Sequence, residues 1–156
     1  MNDHPSIKQI EDDLKIAEQA LLETGRVMAS FVIMTPRKRL MIAMPAENPR
    51  VKAIYYGLLR LLCHAENAFA VTLIAECWMR VERLRGQETV EELAARATKI
   101  RPSQASDRLE AIIAATCYRG EDGKLIIALA AREIVRGADG RPTGTKPPSF
   151  PEDSLP

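Results

Sequence analysis

Aromatic residues are scarce in this sequence: three Phe, three Tyr and one Trp make up 4% of its 156 residues. Ring packing therefore cannot build the interior, and we expect an aliphatic core of Ile, Leu, Val, Ala and Met. A chain of this length buries roughly two-thirds of its unfolded surface, so it can fold as one domain without a disulfide.

Histidine and cysteine are also rare, with two and three residues respectively. Two histidines exclude a histidine-rich metal site, and an odd number of cysteines in apolar runs indicates reduced thiols in a cytoplasm. Cys77 and Cys117 would be neighbours if their strands pair, but free thiols in such runs usually act as small core hydrophobes. We therefore predict no metal site, no cofactor and no catalytic residue.

Long apolar runs and the motifs of several common enzymes are absent. No stretch approaches the roughly 20 apolar residues of a membrane span, and residues 1–5 do not begin a secretory signal. There is no phosphate-binding glycine loop, dinucleotide fingerprint, Gly-x-Ser-x-Gly elbow, His-Glu-x-x-His pair or zinc-deaminase pattern. These absences favour a cytoplasmic protein that does not bind membranes.

Charge is balanced overall, at +1, but it is unevenly distributed along the chain. Residues 1–24 hold six acidic and two basic side chains, whereas residues 25–66 hold seven basic and two acidic ones. The densest positive point is Arg37-Lys38-Arg39, between two predicted strands. It could contact nucleic-acid phosphates, form a solvated turn that discourages edge aggregation, or face the acidic first helix.

The spacing of apolar residues over 1–136 predicts an α+β domain with two layers. We expect a mostly antiparallel sheet of about five strands and two main helices, in the order αββαβ(α)ββ. Residues 124–136 are Ala-rich and compatible with a helix, but the preceding Asp-Gly turn and the β-branched residues favour a strand. Residues 137–156 form a Pro- and Gly-rich tail that we predict to be flexible unless it lies on another surface.

The second predicted helix, at about residues 50–66, is apolar around most of its circumference. Such a helix is buried on more than one side, so one side should meet the sheet and another the first helix or a second copy of the chain. We predict a homodimer whose interface includes four residues of this helix: Tyr55, Leu58, Leu59 and Leu62.

Two further clusters stand out. Trp78, in Glu76-x-Trp78-Met79, lies where a buried strand meets a charged segment, so it is either a binding hot spot or a cap on the core. Arg101 and Arg108 carry planar forks suited to carboxylate or phosphate. With Asp107 they could clamp Glu76 structurally, or hold a phosphorylated substrate beside Glu76 as general base.

The same segments carry a family resemblance. A strand ending in Glu76-x-Trp78-Met79, followed by Arg101-Pro102-Ser103 and Asp107-Arg108, resembles a group of uncharacterised small proteins from phages, prophages and proteobacteria. The similarity extends from about Phe31 to Gly140. It implies a phage or bacterial accessory protein of the cytosol and no particular activity.

The leading interpretation is a non-enzymatic interaction protein that binds a macromolecular partner, most simply a protein. Its candidate binding residues are Arg37, Lys38, Arg39, Trp78, Arg80, Arg101 and Arg108. One alternative is an enzyme for a phosphorylated or nucleotide-like substrate that uses Glu76 with Arg101 and Arg108. A third is nucleic-acid binding through the Arg37-Lys38-Arg39 tip.

Overall fold

The computed structural model describes residues 5–44, 48–82 and 85–148, with side chains from Lys8 onward. The predicted α+β class with an antiparallel sheet is confirmed, although the sheet has six strands and not five. The elements, in chain order, are α1 (Pro5–Thr24), β1 (Ser30–Met34), β2 (Arg39–Ala43), α2 (Pro49–Ala65), β3 (Ala70–Met79), α3 (Val90–Ala97), a 3₁₀ turn (Pro102–Gln104), β4 (Leu109–Arg119), β5 (Leu125–Arg136) and β6 (Pro142–Lys146).

The strands follow the spatial order β2-β1-β3-β4-β5-β6, and every neighbouring pair is antiparallel. The segment that could have been a helix is strand β5, which pairs with β4 from Ala111↔Glu133 to Arg119↔Leu125. The turn between them explains this outcome. Gly123 adopts φ +78°, which favours glycine, and the Gly120 N–H donates to the Lys124 carbonyl at 2.8 Å.

The sixth strand corrects the prediction of a flexible tail from residue 137. Residues 142–146 form β6, which pairs with β5 at Thr145↔Ile134 and Gly144↔Val135. This segment buries little apolar surface, but β5 presents an edge of unpaired backbone groups that it can satisfy. The Thr145 hydroxyl also donates to Glu18 of α1 at 2.7 Å. Residues 149–156 of the predicted tail lie outside the described residues.

Helix α1 covers one face of the sheet, which we call the covered face. Its apolar residues recur at intervals of three and four, so they form one stripe directed at the strands. Leu21 and Ile112 are fully buried there. The core that results consists of Ile10, Leu14, Ala17 and Leu21 from α1 and Val32, Ile74, Ile112, Ala114 and Ile134 from the sheet.

Helix α2 lies on the opposite face, above β1 and β2. The Asn48 side chain caps its first turn by accepting from the Arg50 N–H at 2.9 Å, and Tyr56 packs edge-to-face on Phe31 with ring centroids 5.9 Å apart. No residue of α2 is buried. The expected burial on more than one side is therefore not found within a single copy of the chain.

Candidate functional site

The opposite face continues beyond α2 as an apolar surface across β3, β4 and β5. The strand register joins its side chains into cross-strand rows, because residues paired across a sheet point to the same side. Two adjacent rows contain no charged residue. They are Ile42–Phe31–Leu73–Ala115–Leu129 and Leu40–Ile33–Val71–Cys117–Ile127.

The part of these rows that α2 leaves open is here called the bare face; it consists of Val71, Leu73, Ala115, Cys117, Ile127 and Leu129. Ile127 and Leu129 of β5 are 76% and 64% exposed, whereas the alternate residues Ala128 and Ala130 pack against the core under α1. Contiguous apolar patches of this kind on soluble domains usually mark interaction sites. The charge pattern and the apolar periodicity of the sequence do not identify Ile127 or Leu129 as binding residues.

Helix α2 stands away from the sheet and leaves an apolar cavity of about 350 Å³ beneath it. The cavity is lined by Phe31, Ile42, Tyr55, Leu58, Leu59 and Leu62. Three of the four predicted dimer residues, Tyr55, Leu59 and Leu62, are thus half-buried against this space, and only Leu58 is mostly exposed. The exposed large aliphatic side chains of α2 are Val51, Ile54, Leu58 and Leu61, and Tyr56 is 42% exposed.

The basic tip is largely neutralised by pairs with the two long helices. Arg39 forms an ion pair with Asp13 of α1, and Lys38 lies 3.0 Å from Glu66 at the end of α2. Among the described residues Arg37 alone of the three forms no ion pair. The tip therefore offers little free positive charge for phosphate contacts.

Asp13 is a fully buried carboxylate at the junction of α1 and β2. One of its oxygens accepts from Arg39 and from Gln9, the latter at 3.1 Å, while Oδ2 has no partner among the described residues. Burial raises the pKa of this carboxyl, since desolvation outweighs the opposing effects of Gln9 and Arg39.

The predicted clamp of Glu76, Arg101, Asp107 and Arg108 does not form. The Glu76 carboxylate accepts from the Val27 backbone N–H, between α1 and β1. The Arg108 guanidinium donates to the Ser103 carbonyl and lies over the Trp78 ring, 4.4 Å from its centroid. The β3–β4 register, which pairs Trp78 with Glu110, places these groups apart. Spacing along the sequence does not reveal that register.

A different clamp joins the end of β3, helix α3 and the turn before β4. Arg80 donates to Asp107 at 2.9 and 3.2 Å and also lies 2.9 Å from Glu82. Arg96 of α3 binds Glu88 at 2.9 and 3.0 Å and contacts Glu82. The hydrogen bonds from Arg96 lower the pKa of Glu88 to about 2. Arg80, one of the predicted partner-binding residues, is therefore engaged within the chain.

Trp78 is 44% exposed and lies on the sheet side that α1 covers, near the edge of the helix layer. Alternation along β3 places it on the same side as Ile74, whereas the bare face lies on the other side. The contact with Arg108 desolvates one ring face, as is typical of a cation–π pair. Trp78 therefore does not belong to the bare face.

Among the described residues, the thiols and acids do not converge on one cluster. Cys77 pairs with Ala111 whereas Cys117 pairs with Val71, so the predicted pairing of β3 with β4 still separates the two thiols along the sheet. Burial raises the pKa of the Cys63 and Cys77 thiols, which makes both weaker nucleophiles near neutral pH. Within the described ranges, no three His, Cys, Asp or Glu residues are placed to hold a metal ion.

Comparison with known proteins identifies no relative of this chain. No protein-family model matches the chain, and no curated protein and no solved structure matches it. In the part of the chain that the structure describes, none of the helices combines the length and hydrophobicity that a bilayer crossing requires.

Proposed function

We propose that this protein is a non-enzymatic interaction protein that binds a protein partner through the bare face. One observation carries this proposal: two adjacent rows of apolar side chains cross the sheet and end in the exposed residues Ile127 and Leu129. Burying aliphatic side chains stabilises a complex by about 25 cal/mol per Å² of apolar area, before the costs of association. A partner that presents its own aliphatic side chains fits this surface.

The electrostatics of the molecule support binding over catalysis. The charged groups that the enzyme alternative requires are separated: Glu76 is bonded to the Val27 backbone and Arg108 to Ser103 and Trp78. The nucleic-acid alternative is weakened by the pairs that Lys38 and Arg39 form. The resemblance of the Glu76-x-Trp78-Met79 segment supports a phage or bacterial setting for the proposed partner.

Replacing Ile127 and Leu129 together by Asp tests the proposal. The change places two charges on the bare face and leaves the core under α1 intact, since both side chains point away from it. We expect the immobilised wild-type protein to retain a partner from bacterial lysate and the double variant to retain at least tenfold less of it. Binding of an apolar fluorescent dye should fall in parallel.

The matched control is Val90→Asp, because Val90 of α3 is exposed to a similar extent, 65%, but lies outside the bare face. This variant should retain the partner as the wild type does. Equal retention by the wild type and the Ile127→Asp/Leu129→Asp variant, with unchanged circular dichroism, would refute the proposed role of the bare face.

A further inference from the structure

We propose that two copies of this chain associate through an antiparallel pair of α2 helices. This inference goes beyond the proposed function, because it uses a different surface, the outer side of α2. The residues on that side are Val51, Ile54, Leu58, Leu61 and Ala65, here called the outer stripe. The first four are between 36% and 68% exposed, and Ala65 is exposed as well.

The spacing of the outer stripe indicates that its occupant is another helix. The intervals along it are three, four, three and four residues, which is the a and d spacing of helices that pack side by side. The stripe runs almost the whole length of α2, which has 17 residues and is therefore about 25 Å long. Leu58 also borders the cavity under α2, but all four large side chains of the stripe stay exposed in the described part of the chain.

The outer stripe is self-complementary when two copies run antiparallel. Residues at the a spacing lie level with residues at the d spacing of an antiparallel partner, so a two-fold axis at position 56 would place Val51 against Leu61 and Ile54 against Leu58 of the second copy. Gly57 lies next to that axis, and a Cβ added to it would meet nothing within 4 Å. The missing side chain leaves room for the two backbones to approach each other.

The helix dipoles favour the same orientation. An antiparallel pair places the positive N-terminal end of each α2 beside the negative C-terminal end of the other, whereas a parallel pair places like ends side by side.

The buried area sets the strength of the dimer. Covering the four large side chains on both copies removes on the order of 800 Å² from water, and the flanking residues bring this close to the about 1,000–1,200 Å² of weak specific interfaces. We therefore expect a reversible dimer with a dissociation constant in the micromolar range.

Sedimentation equilibrium of the full chain between about 1 and 500 μM tests this proposal. The wild type should shift with concentration from the 17.3 kDa protomer to twice that mass. The variant Ile54→Glu/Leu61→Glu should remain a monomer, with a dissociation constant raised at least 100-fold, while the control Val90→Glu should dimerise normally. A wild type that remains a protomer throughout the range would overturn the proposal.

These variants test partner binding by the bare face and dimerisation through α2 independently of each other. The variant Ile127→Asp/Leu129→Asp should lose the protein partner and still dimerise, whereas Ile54→Glu/Leu61→Glu should lose the dimer and still retain the partner. A dimer abolished by the Ile127 and Leu129 changes but not by the Ile54 and Leu61 changes would refute the α2 contact.

Discussion

Helices α1 and α2 lie on opposite faces of one sheet, and they differ in how they use their apolar residues. In α1 these residues form one stripe, and Leu14 and Leu21 on that stripe are almost completely buried. In α2 they surround the helix, yet no residue is buried. The helix with more apolar surface is therefore the one that packs less within the protomer.

This difference separates two roles that hydrophobic residues serve. The stripe of α1 holds the fold together, because each buried aliphatic side chain contributes about 1.5–3 kcal/mol relative to an exposed one. The apolar residues of α2 and of the bare face contribute little of this energy in one copy of the chain. Their exposure is costly in water, which is why we assign them to contacts with other molecules.

Matched truncations on the two helices should give the largest contrast. Leu21→Ala removes a fully buried side chain, and we expect it to lower the free energy of unfolding by about 3–4 kcal/mol, since a cavity remains. Leu61→Ala on the exposed side of α2 should change it by less than about 0.5 kcal/mol. Urea unfolding at low micromolar concentration measures both. Equal losses of unfolding free energy in Leu21→Ala and Leu61→Ala would contradict the proposed difference between the two helices.

Much of this contrast could be predicted from the sequence. The interval pattern of Ile10, Leu14, Ala17 and Leu21 specifies a single apolar side, and alternation in the long strands specifies which residues point together. Strand β6 could not be predicted, because Pro142–Lys146 has no apolar alternation and joins the sheet through backbone hydrogen bonds, which leave no side-chain signature.

The interaction surfaces were less predictable than the fold. The abundance of charge over residues 80–108 is visible in the sequence, but the partners of Arg80 and Arg96 depend on where α3 packs. The bare face depends on the register of two strand pairs, since only the register shows that Leu73, Ala115 and Leu129 form one row. Spacing along one element cannot supply that information.

Enlarging one side chain on each helix should give effects of opposite sign. Leu59→Phe projects into the cavity of about 350 Å³ under α2 and should stabilise the fold by about 0.5–1 kcal/mol, which raises the melting temperature by roughly 1–4 °C. Leu21→Phe in the close-packed side of α1 should instead cost about 1–3 kcal/mol. Differential scanning calorimetry measures the melting temperatures of the two variants. A lower melting temperature for Leu59→Phe would show that the space under α2 cannot hold the larger side chain.

The smallest effect should come from Asp13, the buried acid that links α1 to the strand beneath α2. Because burial raises the pKa of this carboxyl in the folded state, its contribution to stability is complete below the usual value near 3.8 and is lost as the pH rises through the folded value. The variant Asp13→Asn lacks this titration and keeps a side chain of the same shape. We therefore expect its stability relative to the wild type to increase from about pH 4 toward neutrality, as measured by urea unfolding across the pH series. The other acids titrate equally in both proteins, so they cancel in this difference. A relative stability that decreases over the same interval would mean that the attraction of Arg39 outweighs the cost of burying the charge.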